Sequence, residues 1–98
     1  MKLTQGESTL FSALVKHPDW LIDEMSRECE ESLIYRLNRQ VEGISLFTDT
    51  GKADVIGLIE LGLIEPTDRL ETPFNRLITY RVSKRALAEK RIWPVVTD

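Results

Sequence analysis

Gly62 is the position that most restricts how this chain can fold. It separates a dense apolar run, with Val55, Ile56, Leu58 and Ile59, from the short stretch Leu63-Ile64. A glycine in that place reads as the residue just past a helix, taking the left-handed conformation that ends it while Leu63 packs back on Leu58. Upstream, Asp49-Thr50-Gly51 offers a cap, so a helix is expected over about 50–61. Downstream, Leu63-Ile64-Glu65 reaches Pro66, residues 67–76 are polar and hold Pro73, and Ile78, Tyr80 and Val82 alternate with Thr79 and Arg81. That alternation is the period of a half-buried strand, which makes 63–65 and 77–82 hairpin partners joined by a long projecting loop. Ser83 then caps a helix over about 84–91 carrying Ala86, Leu87 and Ala88, which ends before Trp93-Pro94.

The first half reads as helical. Thr4-Gln5-Gly6-Glu7 has the spacing of a capping box, and Leu10, Phe11, Leu14 and Val15 recur at helical intervals until His17-Pro18 stops the helix, giving about 4–16. From Asp19 onward Leu21, Ile22, Met25, Cys29, Leu33, Leu37 and Val41 follow at spacings of three or four, so 19–41 is expected to be one long helix or two short ones, with Gly43 as its end. Ile44-Ser45-Leu46-Phe47 fits either a short strand or an extended connector. The expected fold is α+β and mostly helical: a three-helix core, a two-stranded β-hairpin wing, a short C-terminal helix and an apolar tail over 92–98.

At 98 residues, 42% hydrophobic and 30% charged, the chain suits one compact domain and is unlike a disordered one. No apolar run reaches the ~20 residues that span a bilayer, and the polar N-terminus leaves no room for a signal peptide, so a cytoplasmic, membrane-free protein is expected. The net charge of -3 conceals a division. Asp19, Asp23, Glu24, Glu28, Glu30 and Glu31 face only Arg27 across 19–31, whereas Arg69, Arg76, Arg81, Lys84, Arg85, Lys90 and Arg91 outnumber Glu71 and Glu89 across 69–91.

Two segments resemble the winged helix-turn-helix family. Leu58-Ile59-Glu60-Leu61-Gly62-Leu63-Ile64 looks like the end of its third helix entering the first wing strand, and Tyr80-Arg81-Val82-Ser83 looks like the exit from the second wing strand into a capped helix. The resemblance covers about 50–91. It implies a transcriptional regulator that binds double-stranded DNA, with the third helix toward the major groove and the wing on phosphates, and dimerisation through a terminal segment.

On the expected third helix, the side away from Val55, Ile56, Leu58 and Ile59 carries Thr50, Ala53, Asp54, Gly57, Glu60 and Leu61, without arginine, lysine, asparagine or glutamine to read base edges. Thr50 and Lys52 remain within reach of DNA from the first turn, and the stronger candidates are Arg69, Asn75, Arg76, Arg81, Lys84 and Arg85, of phosphate-contacting type. Ala53, Gly57 and Leu61, four residues apart, form a smooth stripe that either packs on the chain's own N-terminal helices or receives a partner. The tail with Trp93 either folds back on the core or docks on a second subunit. A non-enzymatic protein-interaction module that does not touch DNA is the alternative function.

Enzymatic chemistry finds little purchase in this sequence. The single His17 has no companion His, Cys or carboxylate at ligand spacing, and no nucleophile with its base and no phosphate-cradling loop is present, so neither a metal nor a cofactor is expected. His17 reads as a surface or capping residue. Cys29 lies among acidic neighbours that disfavour its thiolate and reads as a packing residue. Glu30 and Glu31, adjacent on a helix, would point to different sides, which does not suit acid-base work.

Overall fold

The computed structural model describes residues 3–27 and 33–89. Its elements run α1 (Gln5–Lys16), β1 (Leu21–Arg27), β2 (Ile34–Val41), β3 (Ile44–Asp49), α2 (Lys52–Glu60), β4 (Ile64–Glu71), β5 (Asn75–Val82) and α3 (Lys84–Glu89). The strands form one antiparallel sheet in the order β3-β2-β1-β5-β4.

This architecture overturns both the mostly helical reading and the winged-helix resemblance. A winged helix needs a three-helix core, and the stretch 19–41 that was to supply its second helix instead holds β1 and β2, two strands inside a five-stranded sheet. Ile22 pairs with Leu37 of β2 and Tyr80 of β5, so β1 is the middle of the sheet. Gly43 does not end a helix. With Glu42 it forms the two-residue turn between β2 and β3, with φ of 51° at Glu42 and 80° at Gly43. Positive φ at both positions is what a type I′ hairpin turn requires, because its twist matches that of the strands it joins.

Other local signals are realised in the structure. Thr4 and Glu7 close the capping box of α1, with the Glu7 amide donating to Thr4 Oγ1 at 3.1 Å and the Thr4 amide to Glu7 Oε1 at 2.8 Å. Gly62 has φ of 72°, the Leu63 amide donates to the Leu58 carbonyl at 3.0 Å and the Gly62 amide to the Ile59 carbonyl at 3.0 Å. These two bonds make a complete Schellman ending and satisfy the last carbonyls of α2. Ser83 caps α3 by accepting the Ala86 amide at 3.1 Å.

The ends of α2 and of the hairpin strands differ from those expected. The N-cap of α2 is Gly51 without a side-chain bond, because Thr50 still belongs to the β3 ladder, its amide donating to the Tyr35 carbonyl at 3.1 Å. The hairpin pairs Ile64 with Val82 as expected, but its arms extend through most of the polar stretch and leave only Thr72-Pro73-Phe74 as the turn. The end of the last helix at 90–91 and the tail 92–98 with Trp93 lie outside the described residues, as does Cys29.

The core lies on one side of the sheet, the helix side. Register places Ile22, Tyr35, Leu37, Tyr80, Val82 and Ile64 there, and α1 and α2 pack on it with Leu10, Phe11, Leu14, Val55 and Leu58. Leu3 and Ala86 complete this core. The connection from α1 to β1 is held by Trp20, whose ring stacks on His17 with centroids 4.0 Å apart and whose indole N–H donates to the Gln40 carbonyl at 3.3 Å.

Candidate interaction surface

The residues expected to meet DNA do not form one ridge. Strand alternation sends neighbours to opposite sides of a sheet, so Arg76 lies on the helix side of β5 while Asn75 and Arg81 lie on the other, open side. Arg69, on the helix side of β4, forms an ion pair with Glu71, its Nε donating at 2.7 Å. Arg81 is half-buried, with its guanidinium 3.6 Å from the Glu65 carboxylate. Asn75 uses its backbone to close the hairpin turn with Thr72. Thr50 is half-buried in the connection to α2, Lys52 is exposed on the first turn of α2, and Lys84 and Arg85 are exposed on α3. Along β5 alone, Asn75 and Arg81 are roughly 20 Å apart at ~3.3 Å per residue.

The small-residue stripe of α2 is used mainly inside the chain. A methyl group at Gly57 would sit 1.7 Å from Glu7 Oε2 of α1, and one at Gly6 would sit 2.5 Å from Asp54 Oδ1 of α2. The two helices therefore approach through glycine on both sides. Leu61 packs against the core and only Ala53 faces solvent.

Two polar clusters occupy the sheet itself. On the helix side the Tyr35 hydroxyl donates to Glu24 Oε1 at 2.5 Å, with both residues buried and Tyr80 beside them. Burial first, and then the Glu24 carboxylate, push the Tyr35 hydroxyl far above the ordinary tyrosine pKa; Tyr80 is raised for the same reasons, with Arg76 and Arg69 opposing. On the open side Asp23 is buried between Arg36, 3.7 Å away, and Thr79, whose hydroxyl donates to it at 3.5 Å. Burial raises the Asp23 pKa more than Arg36 and Thr79 lower it. Arg36 continues over the Phe47 ring, 4.4 Å from its centroid. The Tyr–Glu pair is enclosed and satisfied, so it reads as a structural element of the core.

The most distinctive surface is an edge of the sheet. Every residue of β3 is exposed, including Ile44 at 61%, Leu46 at 41% and Phe47 at 50%, and Val41 beside them in β2 is exposed at 41%. In an antiparallel ladder the hydrogen-bonded residues alternate. The Thr50 amide bonds to Tyr35, and the two-residue turn makes Val41 and Ile44 a bonded pair, so Ile44, Leu46, Thr48 and Thr50 direct their backbone groups inward to β2. Ser45, Phe47 and Asp49 then direct their N–H and C=O groups outward, away from the sheet.

β4, the opposite edge, is built differently. Pro66 has no amide to offer, a register shift between Pro66 and Asp68 breaks the ladder, and Glu65, Asp68, Arg69 and Glu71 place charges along the strand. These are the devices by which sheets discourage edge-to-edge pairing. β3 has none of them between Ile44 and Thr48: no proline, no irregularity of register and no charged side chain. The sequence hid this edge because Ile44 to Phe47 is too short to call by periodicity; the available signal was Glu42-Gly43 flanked by Val41 and Ile44.

Among the described residues no group of His, Cys, Asp and Glu could hold a metal ion, and no helix is long and apolar enough to cross a membrane. No protein-family model matches the chain, and no significant similarity to a curated protein or a solved structure was found.

Proposed function

We propose that this chain is a non-enzymatic protein-interaction domain that takes up a partner by strand addition at the β3 edge. The observation that carries this reading is the contrast between the two edges of one sheet: β4 is blunted by Pro66, a register shift and charge, while β3 presents outward-facing backbone groups flanked by Ile44, Leu46 and Phe47. An extended segment laid on β3 gains backbone hydrogen bonds along its length and apolar contacts from alternate side chains, the two terms that make strand addition both strong and selective.

The basic residues support a DNA reading less well, since Arg69 and Arg81 are each engaged by a glutamate and Arg76 and Arg81 lie on opposite sides of the sheet. Selection of displayed peptides on the folded domain tests the proposal. Expected are extended sequences with alternating apolar residues, whose binding is lost in Ser45→Pro, because a proline at Ser45 removes an outward N–H and leaves the inward ladder whole. Absence of such peptides, or binding indifferent to Ser45→Pro, rejects strand addition. A salt-dependent mobility shift with duplex DNA that disappears when Arg69, Arg76 and Arg81 become alanine would favour the nucleic-acid reading instead.

A further inference from the structure

We infer that the occupant of the β3 edge is the β3 edge of a second copy of this chain, paired antiparallel about a two-fold axis normal to the sheet at Leu46. The inference rests on the strand-addition reading and assigns its partner. Because the axis is normal to the sheet, the helix side of one copy continues into the helix side of the other, and one isologous contact serves both.

Charge decides in favour of a second copy. The segment from Ile44 to Thr48 carries no ionised group of its own, and the cations of β2 that lie against it are engaged within the chain, Arg36 with Asp23 and the Phe47 ring and Arg39 with Thr48, so a charged strand laid against it would lose hydration for little counter-charge. β3 itself supplies an uncharged run, Ile44 to Thr48, of matching length. In the pairing centred on Leu46, Ser45 faces Phe47 of the copy and Phe47 faces its Ser45. These are the residues whose N–H and C=O groups point outward, so each such pair exchanges both its hydrogen bonds. Asp49, the one charged residue of the strand, comes opposite Gly43, which has no side chain to conflict with it.

The side chains agree with this register. Val41, Ile44 and Leu46 share the helix side of the sheet, are exposed at 41%, 61% and 41%, and sit at the border of the area that α1 and α2 cover. The two-fold joins this patch to its mate, with Leu46 directly against Leu46 and Ile44 against Thr48. On the open side, Phe47 with Arg36 stacked on it is carried next to Ser45 of the copy. A register slipped so that Leu46 stands opposite Ser45 of the copy would put the helix side of one copy against the open side of the other, which a continuous antiparallel sheet does not permit.

The test uses the full chain with Cys29→Ser to remove the native thiol. Sedimentation equilibrium over a wide concentration range should give a dimer, and Ser45→Pro, folded by circular dichroism, should weaken its dissociation constant about a hundredfold or more through lost interchain hydrogen bonds. Oxidation of Leu46→Cys should link two copies, because directly opposed residues of a non-hydrogen-bonded pair stand ~4.5 Å apart at Cα, within disulfide range. Thr48→Cys should not link, since the shift places its mate roughly 13 Å away along the strand. A wild type that stays monomeric while selected peptides still bind at Ser45 overturns self-pairing and leaves strand addition standing. A dimer indifferent to Ser45→Pro, or one that links at Thr48→Cys and not at Leu46→Cys, overturns the proposed pairing outright.

Discussion

Glu7 serves two helices at once: one carboxylate oxygen accepts the Thr4 amide at the start of α1, and the other lies where a side chain on Gly57 of α2 would have to go. The glycine and the cap are therefore one unit. Gly57→Ala should gain about 1 kcal/mol of helix propensity and lose about as much by displacing the Glu7 arm of the capping box. It should be close to neutral in the native background. In Glu7→Ala, where nothing remains to displace, the same change should stabilise by about 1 kcal/mol. Urea denaturation of the four chains measures this coupling, and equal effects in both backgrounds would dissolve the link.

Gly62 is restricted by its conformation, since nothing lies within 4 Å of a methyl group placed there, while φ is 72°. Gly62→Ala should cost about 1–2 kcal/mol because an L side chain resists the left-handed region. Gly62→Asn should recover part of that loss, asparagine being the side chain that best tolerates it.

Alkaline pH should unfold the protein through its buried tyrosines. Tyr35 and Tyr80 have raised pKa values in the folded state, so the folded chain retains protons that the unfolded chain releases near pH ~10. The stabilisation is complete below that pH and is lost as pH rises above it. Tyr35→Phe should cost about 1–3 kcal/mol at neutral pH by leaving the buried Glu24 carboxylate without its donor. The same variant should also lose less stability than wild type between pH 9 and 11, which melting curves across that range would show.

Asp23 works in the opposite sense. Burial raises its pKa despite Arg36, so its ionised form is disfavoured in the fold, and this penalty is greatest above its folded pKa and relieved as pH falls. Asp23→Asn, which retains the shape without the charge, should therefore melt no lower than wild type at pH 7, with the difference closing toward pH 3. A variant markedly less stable at pH 7 would mean that the Arg36 contact outweighs burial.

The sequence was legible where a backbone position demands one residue type. Thr4 with Glu7, Gly62 and Ser83 each mark a helix terminus, and each stands where it was read. Residues 19–41 were illegible for a definite reason. Met25, Cys29, Leu33, Leu37 and Val41 are four apart, and four residues return to the same face of a strand as well as of a helix. Spacing alone could not separate the two. The positive φ of Gly43 suits either reading, since a helix ending and a type I′ turn both use it. The arms of the β4–β5 hairpin resemble a loop in sequence because Thr67 to Asn75 are solvent-exposed and carry no apolar alternation. The expected basic ridge failed by parity: Arg76 and Arg81 are an odd number of residues apart on one strand, and strand geometry sends them to opposite sides.

Pro66 and the register shift beside it have a consequence far from β4 itself. A sheet that can be extended at only one margin cannot propagate. Once two copies have joined through β3, each outer margin of the combined sheet is a β4 that lacks an amide at Pro66 and carries charge on either side of it. On the proposed β3 pairing such an assembly would count to two and stop, so the same apolar strand that would seed a fibre in a symmetric sheet would yield a closed particle here.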